Sequence, residues 1–280
     1  MVRDAGDPDG SPVLYFHGTP GCRLDVAFGD GVAEALGVRV ISFDRPGYGR
    51  SDGAPFGLRS VAEDAIAVAD SCGVDRLATC GWSGGGPHAL AAAAVMGARV
   101  TGVGVACGPG PFQRVPGALE RLGADEHLAL SYLPDEPARA AEQFCIGSEG
   151  MVAVRDDEPA LMSGMEALFG EVDADVFGDH VLRHHLFVML SEALRQGFLG
   201  VGWDNVAWVG EWDVDPTSVR APVHLWYGGS DHMISLAHGE WLSSYLPAAT
   251  LTVFPDEGHL VPMRHWSEIL GTLLAGSHRV

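Results

Sequence analysis

The sequence predicts an α/β fold: a mostly parallel sheet flanked by helices, with a helical cap inserted into the strand order. Short apolar, β-branched runs alternate with stretches of helical periodicity, the pattern of parallel strands joined by crossover helices. Each run ends at a cluster of Gly, Asp, Pro or His, and in open sheets of this kind the active site gathers at the carboxyl ends of the strands. The alternation stops after Ala106 and resumes at Val223.

Strands are expected at Val13–Phe16, Val38–Phe43, Leu77–Cys80, Val100–Ala106, Val223–Tyr227 and Thr250–Phe254. Helices are expected at Leu24–Leu36, Leu58–Ser71, Gly85–Met96, Ser235–Tyr245 and His265–Leu274. The segment VAEDAIAVADSC, for example, places its apolar residues at helical rather than alternating spacing. Between Pro109 and Asp215, helix-like pieces (Pro137–Phe144, Ala160–Phe169, Asp179–Gln196) follow one another without a strand. Residues 109–215 are therefore expected to form a lid over a core made of 1–108 and 216–280. The N-terminal residues read as one strand end and a turn, DPDG, which leaves the presence of a first strand open.

Composition excludes several function classes. All seventeen basic residues are arginine. Without a lysine the chain cannot be a Schiff-base enzyme, a pyridoxal phosphate enzyme or a P-loop NTPase. A formal net charge of −20 argues against nucleic acid and anionic membranes as partners and leaves a small-molecule substrate. Residues 109–215 hold twenty Asp and Glu against six Arg. That acidity serves solubility, or makes a mouth that disfavours anionic substrates. No apolar run reaches the roughly 18–20 residues of a membrane span, and MVRDAGDPDGS lacks the pattern of a secretory signal. Five cysteines (Cys22, Cys72, Cys80, Cys107, Cys145) form no CxxC pair, so a reduced, cytoplasmic protein is expected. Oligomeric state is not legible.

The central motif is Gly81-Trp82-Ser83-Gly84-Gly85, a G-x-S-x-G between the strand LATC and the helix GGPHALAAAAV. A serine on so sharp a turn is forced into a strained backbone conformation, and the flanking glycines remove side chains that would collide. The turn lifts the hydroxyl clear of the sheet and aims the Gly84 N–H, at a positive helix end, toward a developing oxyanion. His17-Gly18-Thr19-Pro20-Gly21 follows the strand VLYF and offers the Thr19 N–H as a second donor. His17 itself is expected to spend its ring nitrogens on the loop. The base should follow the last strand, where FPDEGH places His259; His265 and His278 are alternatives in the final helix and tail. The third member should follow the preceding strand, where LWYGGSD places Asp231. Asp256 and Glu257 share the tight loop of the histidine and are poor rivals.

Ser83, then Asp231, then His259 is the chain order of a serine triad on this kind of sheet. Through HGTPG, DRPGYGRSD, GWSGGG, YGGSD and EGH, which span Phe16 to His259, the sequence resembles the α/β-hydrolase superfamily, in particular its capped branch of proline iminopeptidase-like hydrolases and bacterial esterases. The resemblance implies an eight-stranded sheet with one antiparallel strand, an insertion after the sixth strand, and acyl transfer to water from Ser83 with no metal or organic cofactor. A small, neutral or cationic carboxylic ester or lactone is the expected substrate. An iminopeptidase-like amidase is the alternative, with Glu142, Glu149, Glu166 or Glu192 binding a free amino terminus. Carbon–carbon bond hydrolysis or perhydrolysis with the same triad also stays open. From a different class comes a ligand-binding receptor, since strigolactone and gibberellin receptors resemble the same scaffold.

Four aromatics are further candidates for the pocket: Tyr48 in DRPGYGRSD, Trp82 beside the nucleophile, and Trp203 and Trp208 near the end of the insertion, where Trp212 also clusters. His180 and His184, four apart with His185 following, have a spacing that can hold a metal. No carboxylate completes an HExxH pattern, so no metal site is expected. No GxGxxG follows a strand, and no nucleotide cofactor is expected.

Overall fold

The computed structural model describes residues 1–277. Seven strands form one sheet: β1 (Val2–Gly6), β2 (Ser11–Phe16), β3 (Val38–Phe43), β4 (Leu77–Trp82), β5 (Val100–Ala106), β6 (Val223–Gly228) and β7 (Ala249–Phe254). Their order is β1-β3-β2-β4-β5-β6-β7, and every pairing is parallel except β1 with β3. The resemblance implied eight strands; among the described residues there are seven, with the antiparallel one at the edge. The residues before β2 make a whole strand followed by the DPDG turn, and the insertion accordingly follows the fifth strand.

Burial follows this order. β4 and β5 are buried along their whole length because both faces are covered, whereas edge strand β1 alternates between exposed and half-buried. Helices α1 (Asp30–Ala35) and α12 (Val261–Ser277) pack together over one face; α2 (Leu58–Ser71) and α3 (Gly85–Met96) pack together over the other. The run expected as a helix over Leu24–Leu36 is instead a 3-10 turn, Ala27–Gly29, leading into α1. Gly29 lets this turn pack closely against α12, where a Cβ would run into the Trp266 ring.

Between β5 and β6 the chain is helical: α4 (Ala124–Leu130), α5 (Pro137–Phe144), α6 (Glu149–Ala153), α7 (Glu158–Phe169), α8 (Ala174–Gly178), α9 (His180–Ala193) and α10 (Leu199–Trp208). Asp157 caps α7 through the Ala160 N–H, and Asp179 caps α9 through the N–H groups of Val181 and Leu182. The apolar faces of α7, α8 and α9 join the main core cluster. Phe112, Val115, Ala118 and Val209 form a separate small cluster that also takes in Trp208 and Trp241. Helix α11 (Leu236–Tyr245) then connects β6 to β7.

Candidate active site

Ser83 sits at the end of β4 with φ +52, one of two non-glycine residues at positive φ among those described. The Ala106 carbonyl accepts its N–H at 2.9 Å, and its own carbonyl accepts the Gly86 N–H at 2.9 Å as α3 begins. The glycines make this turn possible by close approach. A Cβ on Gly81 would stand 2.2 Å from the Gly85 carbonyl oxygen, and one on Gly85 would stand 2.1 Å from that of Phe16.

His259 follows β7 and is nearly buried; its Nδ1–H donates to Asp231 Oδ2 at 2.6 Å. Since a carboxylate only accepts, this bond fixes the tautomer and leaves Nε2 free to take a proton. Asp231 Oδ1 accepts from the N–H groups of Met233 and Ile234 at 2.9 and 3.0 Å. Burial pushes the Asp231 carboxyl up, but the His259 charge and these hydrogen bonds outweigh it and hold the group below the usual carboxylate range. The rivals lie elsewhere. His265 stacks on Phe254 and pairs with Glu257 at 2.7 Å, and His278 lies outside the described residues.

Both backbone bonds of His259 are clamped from a distance. Its N–H donates to Asp173 Oδ2 at 2.8 Å, and its carbonyl accepts the Trp82 indole N–H at 2.9 Å. Asp173, fully buried in a 3-10 turn of the insertion, also accepts from the Leu260 N–H and pairs with Arg264 at 2.9 Å. Cys107 places a third potential metal donor within 4.8 Å of those of Asp231 and His259. Burial pushes that thiol far above its usual range, so it stands beside the pair as a neutral thiol.

The HGTPG loop lies across from Gly84. Thr19 reaches so close that a Cβ on Gly84 would meet Thr19 Cβ at 2.9 Å. A buried carboxylate, Asp204 on α10, holds Thr19 there. It accepts from Thr19 Oγ1 (2.7 Å), Tyr48 Oη (2.5 Å), His88 Nε2 (2.9 Å), and Arg45 Nε and Nη2 (3.0 and 2.6 Å). Both partners of the Arg45–Asp204 pair are fully buried. Burial would raise the Asp204 carboxyl, but the Arg45 guanidinium and the His88 hydrogen bond hold it far below its ordinary value. His17 spends Nδ1 on the Gly18 carbonyl and Nε2 on the Arg45 N–H, the structural role expected of it.

Two compartments meet at the serine. One is a small apolar cavity of about 50 Å³, lined by Ser83, His259 and Trp82 and by Met165, Phe169 and Met189 among other apolar side chains. The other, more polar and open to solvent, shares Ser83 and Thr19 and is bordered by Arg121, Glu126, Asn205 and Trp208. Trp82 and Trp208 thus reach the site. Tyr48 does not: it is 1% exposed, its hydroxyl drawn inward by Asp204. Trp203 also fails to line either compartment and packs against the core. Five residues apart on a helix means about 140° of rotation, so Trp203 and Trp208 face apart while Asp204 and Trp208 share a face. Glu142, Glu149 and Glu166 are exposed, and Glu192 pairs with Arg23 and Arg50. None of the four borders either compartment. His184 pairs with Glu158 while His185 bonds the Asp25 carbonyl, and the two rings do not converge on one site.

Sequence reasoning missed Asp173, Asp204, Arg45 and Arg264. For Asp204 a signal existed, a lone carboxylate in the otherwise uncharged helix LGVGWDNVAW. Asp173 sits in the acidic run EVDAD, where nothing local marks it.

A seven-stranded, mostly parallel sheet with a serine elbow after β4 and a His–Asp pair after β7 and β6 is the architecture of an α/β hydrolase. The chain belongs to the alpha/beta hydrolase family, which it matches over residues 13–271. It shares its fold with an enol-lactonase from Burkholderia xenovorans LB400, at a TM-score of 0.68 and 16% identity over 98% of this chain and 96% of that one. It is similar in the same way to Est816, described as an N-acyl homoserine lactone degrading enzyme, at a TM-score of 0.67 and 22% identity over 99% and 95%. Among curated proteins it is 28% identical over 243 residues to the polyketide synthase ThaQ of Burkholderia thailandensis. That match takes in 84% of this chain and 10% of the synthase, so the chain spans a tenth of that relative's length. No helix among the described residues is long and apolar enough to cross a membrane.

Proposed function

We propose that this protein is a serine hydrolase that cleaves a small, neutral carboxylic ester or lactone, with residues 109–215 acting as its lid. The observation that carries this reading is the Asp231–His259 hydrogen bond of 2.6 Å beside a serine held at positive φ on a common cavity. Ser83 Oγ attacks the carbonyl carbon while its proton passes to His259 Nε2, and Asp231 steadies the imidazolium. The carbonyl oxygen becomes an oxyanion held by the Thr19 and Gly84 N–H groups. Collapse breaks the acyl–oxygen bond, and the departing alkoxide takes the proton from His259. Water, deprotonated by the same nitrogen, then releases the acid and restores Ser83.

The apolar compartment favours an uncharged, hydrophobic acyl group. The acidity of the insertion bears less on the substrate, since no carboxylate lines this cavity. Two of the solved neighbours are described as acting on lactones, a reaction with the same carbonyl attack. None of the four glutamates considered for an amino terminus borders the site, so an amidase reading would rest on Glu126 beside the polar compartment.

The test is hydrolysis of a panel of aryl esters and lactones, beside a prolyl arylamide, by wild type and Ser83→Ala. Turnover of esters or lactones that the variant loses by about three orders of magnitude or more supports the reading. Preferential turnover of the arylamide would replace it with an amidase. Ligand binding without turnover would replace it with a receptor.

A further inference from the structure

Helix α10 brings two polar groups to the site from one face. Asp204 grips Thr19, and one turn later Trp208 lays its ring against Phe112, with centroids 5.7 Å apart. The Trp208 Nε1 atom is buried and has no hydrogen-bond partner among the described residues. It lies 3.2 Å from the point where a Cβ on Gly84 would stand, and Thr19 Oγ1 lies 2.2 Å from the same point. The indole N–H and the Thr19 side chain therefore both lie against Gly84, and Trp208 and Thr19 border the same compartment as Ser83. Buried donors are seldom left unpaired, because they forfeit their water without recovering a bond. This one is also held in place: Phe112 packs against the ring, and the five hydrogen bonds to Asp204 fix the preceding turn of the helix.

We propose that the Trp208 indole N–H is a third donor to the carbonyl oxygen of the substrate, beside the backbone N–H groups of Thr19 and Gly84. This rests on the serine-hydrolase reading above. It makes the oxyanion site complete only when α10 is seated, so that the lid contributes directly to the chemical step.

A fluorophosphonate tests this without knowledge of the natural substrate. Ser83 Oγ bonds to phosphorus, fluoride leaves, the hydroxyl proton passes to His259, and the phosphoryl oxygen takes the place of the carbonyl oxygen. Trp208→Phe is expected to slow labelling of Ser83 by about tenfold or more, since oxyanion donors carry effects of that order or larger. Because Phe also changes the shape of the ring, benzothienylalanine at position 208 is the deciding variant: sulfur replaces only the N–H. Slowed labelling at an unchanged thermal midpoint supports the proposal. Labelling of that variant at the wild-type rate overturns it and leaves Trp208 a packing residue. If wild type itself is not labelled at Ser83, the serine reading fails and takes this inference with it.

Discussion

Ser83 holds a backbone conformation that an L-residue adopts only under constraint, at φ +52. Glycine adopts it freely. Ser83→Gly should therefore abolish activity and raise stability by about 1 kcal/mol, read from the midpoint of urea unfolding. A midpoint below wild type would show that the elbow is not strained. In the proposed mechanism Asp231 acts on the reaction through His259 alone. Asp231→Asn keeps its shape but presents the wrong partner to Nδ1, and should lower kcat by about three to four orders of magnitude with the fold intact. Near-normal kcat in that variant would move the acid elsewhere.

At the scale of elements, two acidic side chains tie the insertion to the loops that carry Thr19 and His259. Asp204 joins α10 to Thr19, and Asp173 joins a 3-10 turn to the backbone of His259. Asp204→Ala leaves the Arg45 guanidinium buried without its counter-ion, and should destabilise by about 3–5 kcal/mol in urea unfolding. The sign of the pH effect follows from the depressed carboxyl. The contribution is complete above the ordinary carboxyl value of 3.8 and is lost only as pH falls toward the lower folded value. The stability gap between wild type and Asp204→Asn should thus stay constant from about pH 7 to 5 and close only in stronger acid. In the proposed mechanism Asp173 positions His259 through its backbone N–H. Asp173→Ala should lower kcat by about tenfold to a hundredfold with KM little changed, because the imidazole shifts while the substrate cavity remains. A rise in KM at constant kcat would instead place its effect on the pocket.

For the whole molecule, buried and half-buried histidines set the response to mild acid. Burial lowers His17, His88, His185, His224 and His238, the last to about 4. Around the ordinary value of 6.5 the unfolded chain binds protons that the folded chain refuses, so stability falls as pH drops through that window. Asp25 opposes this. Burial raises it to about 6, so the folded state carries its proton where the unfolded state does not. Asp64, raised by its partial burial, acts in the same sense as Asp25, and five groups against two predict a lower urea midpoint at about pH 5.5 than at about pH 7.5. A midpoint that rises instead would mean that the five rings are hydrated.

Much of this was written locally in the chain. The strands Val38–Phe43 and Val100–Ala106 and the helices Leu58–Ser71, Gly85–Met96 and Pro137–Phe144 stand where periodicity put them, because each signal is carried by neighbours one to four residues apart. The elbow and the candidate triad were legible for a related reason: each member is marked by its own glycine-rich turn at the end of a strand. Tertiary packing alone decided the rest. Which aromatics reach the cavity depended on the rotation of α10 about its axis, which turned Trp208 toward Ser83 and Trp203 away. The partners of Asp204 and Asp173 lie as far as 185 and 91 residues away along the chain, beyond any local pattern. A charge is driven to find its partner by the cost of being buried, and that cost exists only once the chain has folded around it.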